Sequence, residues 1–203
     1  MLYELSHFYR RDVYFTYSQK NEIKSHLSVM DCKRINFAKP LLYEVDKLDS
    51  YLPRYDALPA IGAMLVSSRF RDVYQHLGEQ EIQFIPVVIE DEKRNKNTDF
   101  FCLNVLKKLP LLDFERSIYL PCKYDSGSLN IIQAFYHEEK IAPFSIASME
   151  ESWQHIIVSE EFAKIAKKAK LKGIVFHPEG HTGCYTELGL TEKREQMKNI
   201  YGK

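Results

Sequence analysis

Residues 65–86 and 157–178 superimpose at a constant offset of 92 without a gap. Six positions are identical across that span: Val66/Val158, Ser67/Ser159, Phe70/Phe162, Ile82/Ile174, Phe84/Phe176 and Pro86/Pro178. About one match is expected from ordinary composition, so the pairing reads as an internal repeat. Each copy carries the same local instructions. A short apolar step, Leu65-Val-Ser67 or Ile157-Val-Ser159, ends on a serine suited to cap a helix. Phe70, Val73, Tyr74 and Leu77 then fall at i, i+3, i+4 and i+7, as do Phe162, Ile165, Ala166 and Ala169. Gly78 and Gly173 stand where helices commonly stop. The runs Ile82–Ile89 and Ile174–Pro178 follow as strands, with Pro86 pointing to an edge position or a bulge. Whatever this chain folds into must accommodate strand, capped helix and strand twice.

The rest of the sequence adds strands. Leu2–Leu5, Val13–Tyr17 and Leu41–Val45 have β propensity. Tyr51–Pro59 carries two prolines and reads as a connection. The polar stretch 91–99 reads as a long hairpin loop before the strand Phe100–Leu106. Ser117–Leu120 and Leu129–Tyr136 flank the turn-rich Asp125–Ser128. Thr191–Lys198 is charged and fits a short surface helix or a frayed tail. The expected fold is α+β (mixed α/β), a mostly antiparallel sheet with two repeated strand–helix–strand units. One domain is expected over 1–203. Its parts are a strand-rich segment (1–60), the first unit (61–110), connecting strands (111–152), the second unit (153–180) and a C-terminal tail (181–203). At 203 residues and 45% apolar composition, one core is affordable.

Charge and cysteine usage exclude several classes. Lys plus Arg equals Asp plus Glu, 28 against 28, which disfavours nucleic acid or an anionic membrane as the direct partner. No apolar run approaches the roughly 20 residues of a membrane helix, and the N-terminus lacks a signal-peptide pattern. Cys32, Cys102, Cys122 and Cys184 are widely spaced and read as reduced thiols. A cytoplasmic location is expected.

Catalytic candidates are few. His177-Pro-Glu-Gly-His-Thr-Gly-Cys184 concentrates His177, Glu179, His181 and Cys184, residue types that bind zinc. Pro178 and two glycines make it a loop, and the spacing matches neither a zinc module nor a helical HExxH motif. A metal-dependent hydrolase or nucleic-acid modifying enzyme using this loop is the alternative reading. The main reading gives the loop no metal and the protein no cofactor. Asp113 and Glu115 could pair as acid and base, but Asp113 or Ser117 tying down a turn is the plainer reading. No nucleophile elbow or glycine-rich phosphate loop occurs. The lysines at 164, 167, 168, 170 and 172 read as a solvated helix face ending at the negative pole of the helix.

The repeated Leu/Ile-Val-Ser…Phe…Ile-x-Phe-x-Pro pattern encloses Leu103-Asn-Val-Leu106 and Leu112-Asp-Phe-Glu-Arg-Ser117. Over roughly residues 60–180 this order resembles the bacterial immunity proteins of polymorphic toxin systems, specifically immunity family eleven. Pro143–Ile146 lies where the family has its linker into the second unit, whereas the histidine-rich loop departs from the pattern. The resemblance implies a bacterial cytoplasmic antidote, not an enzyme. Its partner would be the C-terminal domain of a cognate toxin delivered by contact-dependent or type VI secretion, bound by occlusion. Acidic groups gather at Glu79/Glu81, Glu90–Glu92, Glu138–Glu139 and Glu150–Glu151, and such groups suit a basic nuclease by imitating phosphates. Glu90, Asp91, Glu92 and Asp99, around the 91–99 loop, are the expected toxin-binding residues, with Trp153 a further anchor candidate.

Overall fold

The computed structural model describes the chain apart from residues 78–79, 124–126, 138–142, 183–185 and 203. The strands are β1 (Leu2–His7), β2 (Thr16–Tyr17), β3 (Leu41–Val45), β4 (Ala57–Leu58), β5 (Leu65–Ser67), β6 (Ile82–Asp91) and β7 (Lys96–Asn97). They continue with β8 (Phe100–Val105), β9 (Lys108–Leu109), β10 (Ile118–Pro121), β11 (Leu129–Gln133), β12 (Ile146–Met149), β13 (Ile156–Ser159) and β14 (Ile174–Pro178). The α-helices are α1 (Ser68–Tyr74), α2 (Glu160–Lys168) and α3 (Glu187–Tyr201). One sheet runs β14-β1-β13-β12-β9, a second runs β2-β3-β6-β8-β5-β4 with β7 attached to β6, and β10-β11 form a hairpin. Only the β3–β6 and β9–β12 pairings between these strands are parallel, so the fold is mixed α+β and mostly antiparallel.

The two strand–helix–strand units have matching surroundings. In the first, β8 lies between β5 and β6; in the second, β1 lies between β13 and β14. The registers correspond residue by residue. Val66 faces Phe101 as Val158 faces Tyr3, and Phe84 faces Leu103 as Phe176 faces Leu5. Pro86 faces Phe101 as Pro178 faces Tyr3. The outer neighbours also agree, Ala57 opposite Val66 and Ile146 opposite Val158. Ring geometry follows suit. Phe70 meets Phe84 at 6.3 Å and 71°, and Phe162 meets Phe176 at 6.5 Å and 72°. Phe84–Phe101 and Phe176–Tyr3 are both edge-on at 6.4 Å.

Serine capping sets both helices. Ser67 Oγ accepts from the Phe70 amide and Ser159 Oγ from the Phe162 amide, relieving donors that helix starts leave orphaned. The first helix is shorter than its periodicity suggests, because residues 75–77 tighten into a 3-10 turn; Gly78 lies outside the described residues. The helices meet ring to ring. Phe162 stacks on Tyr74 at 3.8 Å and 7°, and the Tyr74 hydroxyl donates to the Phe162 carbonyl at 2.7 Å. Buried Asp56 ties the units together, accepting from Ser67 Oγ and from the Lys172 amide, each at 2.7 Å. Gly173 follows with φ +78, packed where a Cβ would lie 2.8 Å from the Tyr55 ring.

Alternation along the strands builds a layered core. Val66, Leu103, Val105, Leu5 and Val158 face the space between the sheets with Phe70, Tyr74 and Phe162. Leu65, Phe100 and Cys102 face outward under the N-terminal segment with Tyr17, Tyr43 and Ile85. Leu2 and Ile157 face the opposite outer layer with Met149, Tyr119, Ile132 and Met197. Strands covered on both faces need apolar residues throughout, which is why the repeated segments are apolar runs.

Several expectations change. Only Thr16–Tyr17 of the 13–17 segment is strand, with Phe15 bridging Ala60. The strand expected over Leu129–Tyr136 ends at Gln133. Strand β6 is internal to its sheet, but β3 covers only Val87–Asp91, so Pro86 sits where that flank is free of strand pairing. The 91–99 segment is a tight hairpin, because β7 pairs back on Ile89 and Glu90. The charged C-terminal stretch lies within α3, a 15-residue helix seated on the hairpin through Leu190 and Met197.

Candidate partner-binding face

Parallel pairing of β3 and β6 brings two carboxylate-bearing ends together, with Glu44 beside Glu90 and Val45 beside Asp91. Asp91 then reverses the chain. Its side chain accepts from the amides of Lys93 and Asn95, both at 2.9 Å, from the Asn95 amide group and from the Leu48 amide at 3.3 Å. This is an aspartate-nucleated turn, closed by Arg94 in the left-handed region at φ +68. Bonding to Asn95 holds the Asp91 carboxyl below its ordinary range. Glu90 pairs with Arg94 and, at 3.4 Å, with Lys96, and Arg94 keeps its carboxyl low.

The result is a groove of 690 Å³ whose walls include Glu44, Asp46, Glu90, Asp91 and Glu92 beside Lys20, Arg94 and Tyr14. Glu44 pairs with Lys20 at 2.8 Å, and Asp46 pairs with Arg11. The Glu92 carboxylate is exposed and forms no ion pair among the described residues, and Tyr14 is 59% exposed. Of the expected toxin-binding residues, Glu90, Asp91 and Glu92 therefore come together. Glu90 and Asp91 are buried and hold the hairpin, while Glu92 is presented. Asp99 lies apart, after β7, its carbonyl accepting from the Ser68 amide and its carboxylate from Asn97. Glu44, Asp46 and Tyr14 are added by the fold. Their signal in the sequence is only a strand ending in acids; its partner strand is not legible locally.

The histidine loop is organised by β1. Glu4 lies opposite His177 in the register, and its Oε1 is 2.8 Å from His155 Nδ1. Burial raises the Glu4 carboxyl, but the bond to His155 and the nearby His177 and His181 outweigh it, leaving a lowered value. Gly180, at φ +78 and donating to the Ala134 carbonyl at 2.7 Å, turns the chain so that the His177 and His181 rings stack at 4.1 Å and 14°. Burial and then His181 depress His177. Stacked rings keep their in-plane lone pairs parallel, unlike the convergent set tetrahedral zinc requires. Among the described residues, no three His, Cys, Asp or Glu side chains are placed to hold a metal; Cys184 lies outside them. Glu179 pairs instead with Arg116 at 3.4 Å.

Other candidates have structural employment. Asp113 Oδ1 accepts from the Glu115 and Arg116 amides at 3.0 and 3.2 Å, closing a turn. Burial pushes the Cys102 thiol to about 12 and raises Cys32, the reverse of what a nucleophile needs. Glu81 accepts from the Ser145 amide, and Glu151 from those of Leu111 and Leu112. Glu79, Glu138 and Glu139 lie outside the described residues. Lys164 pairs with Glu160 on the face of α2. Trp153 is half-buried and lines a groove of 1060 Å³ near α3. No helix among the described residues is long and apolar enough to cross a membrane.

No curated protein matches the chain. A family model described as immunity protein family (Imm11) matches residues 13–180, a span that takes in both strand–helix–strand units and the acidic groove and ends within the histidine loop, before His181. The chain belongs to the Imm11 immunity protein family.

Proposed function

We propose that this chain neutralises a cognate secreted toxin by occupying its active-site face, and that the acidic groove beside β3 and β6 is the docking surface. Family membership supports an antidote. The observation that carries the surface is the gathering of Glu44, Asp46 and Glu92 on one groove over the buried Glu90 and Asp91, with Glu92 and Tyr14 presented to solvent. An antidote must reach its toxin before damage accumulates, so a fixed acidic rim that steers a basic partner suits the task. A nuclease, whose active face is built to attract phosphate, is the toxin class that fits. Hairpin bonds through Asp91 set the geometry in advance, which lowers the ordering penalty on binding. The strand–helix–strand units are read as copies of one ancestral unit, joined across the Tyr74–Phe162 stack into a scaffold for this rim. Delivery by contact-dependent or type VI secretion belongs to the same reading, as does action in the cytoplasm without catalysis.

The test is co-expression with the toxic C-terminal domain encoded beside this gene. Protection by the wild-type chain, weakened by Glu44→Lys with Glu92→Lys, is the expected outcome. Full protection by that double variant, or none by the wild type, contradicts the proposal.

A further inference from the structure

Met197 seats α3 on the hairpin and leaves a second groove, 610 Å³, between that helix and the turn closed by Asp113. Arg194, Lys198 and Tyr201 stand at i, i+4 and i+7, so they line one wall. Phe114 stands on the other. It is 39% exposed and Tyr201 is 37% exposed. Tyr119 touches both, at 5.3 Å edge-on to Phe114 and 5.2 Å from Tyr201. Two exposed rings over a buried third, Tyr119, are the composition of an interface centre.

Electrostatics gives the groove a sign. Arg116 is already committed, lying 4.3 Å over the Phe135 ring and paired with Glu179. Arg194 and Lys198 are exposed, and their side chains make no ion pair or hydrogen bond among the described residues. Glu115 is the one acid in the lining.

We propose that this groove binds an acidic segment of a partner protein, in which an apolar side chain is flanked by carboxylates. The apolar group lies between Phe114 and Tyr201 over Tyr119, and the carboxylates meet Arg194 and Lys198. Single-stranded nucleic acid is the weaker fit, because two uncommitted cations do not make a track along successive phosphates. The site shares no residue with the acidic groove, and it stands or falls independently of toxin neutralisation.

The test uses the full chain and fluorescence anisotropy. The probes are a labelled peptide alternating glutamate with phenylalanine, the same peptide with lysine for glutamate, and a labelled oligothymidylate. Binding of the acidic peptide alone is expected. Arg194→Glu with Lys198→Glu should weaken it at least about tenfold, and Phe114→Ala should also weaken it. Glu92→Lys should leave it unchanged. A thermal melt of each variant checks folding, and these exposed positions should keep it intact. Failure of the acidic peptide to bind, equal binding of the lysine peptide, or indifference to the charge reversal overturns the proposal. Oligothymidylate binding that is lost on the same charge reversal overturns it in favour of nucleic acid.

Discussion

Phe162→Ala is predicted to be among the most damaging single substitutions in this protein. The side chain is 1% exposed and belongs to the core between the two sheets. Truncating a fully buried phenylalanine removes its transfer free energy and leaves a cavity, together about 3–5 kcal/mol. Part of that is specific to the stack on Tyr74 at 3.8 Å, for which a double-mutant cycle with Tyr74→Leu should return about 0.5–1.5 kcal/mol of coupling. Tyr74→Phe alone removes the hydroxyl bond to the Phe162 carbonyl and should cost about 0.5–1.5 kcal/mol, the net worth of one hydrogen bond to a carbonyl that stays within the α2 ladder. For a chain of this size the alanine variant should melt roughly 6–20 °C lower. Urea unfolding followed by circular dichroism, with Trp153 fluorescence as a second probe, measures all three. A loss below about 1 kcal/mol for Phe162→Ala would refute the claim that the two units are joined through this ring pair.

Three further outcomes are expected. Ser67→Ala and Ser159→Ala should each lose about 0.5–2 kcal/mol from the missing cap, with Ser67 the more costly because its hydroxyl also donates to buried Asp56; equal losses in urea titrations would argue against the Asp56 tie. Gly173→Ala combines φ +78 with a Cβ forced to 2.8 Å from Tyr55 and 3.0 Å from two carbonyls, whereas Gly202→Ala at φ +70 meets open space. The first should lose clearly more stability than the second, which carries only the left-handed penalty of about 1 kcal/mol. Glu4 has a folded-state pKa below its ordinary 4.5, so its contribution is present above that value and is lost as pH falls through the folded pKa. The stability gap between wild type and Glu4→Gln should therefore be open at pH 5–6 and close below pH 4.5; a gap that widens on acidification would contradict the sign.

Local signals were readable without the structure where one side chain answers a nearby backbone group. Ser67 and Ser159 cap the helices they precede, and the spacing of Phe70 with Tyr74 and of Phe162 with Ala166 marks the buried face of each. Contacts between distant segments left no such trace. Nothing near Leu2–His7 announces that it pairs with both β13 and β14, more than 140 residues later. Nor does Leu41–Val45 advertise a parallel partner, so Glu44 and Asp46 could not be grouped with Glu90 and Glu92. The final helix was obscured for another reason. Leu190 and Met197 are its only buried residues among many charges, too sparse a stripe to separate from a solvated tail. The stacking of His177 on His181 depends on a reversal at Gly180 fixed by the Ala134 carbonyl, again from a segment remote in sequence.

Calorimetric titration of the purified chain with its cognate toxin domain addresses the antidote claim most directly. Tight one-to-one binding is predicted, weakening with salt and falling at least about tenfold when Glu44 and Glu92 are both changed to lysine. No binding, or an affinity indifferent to salt and to those two substitutions, would contradict it.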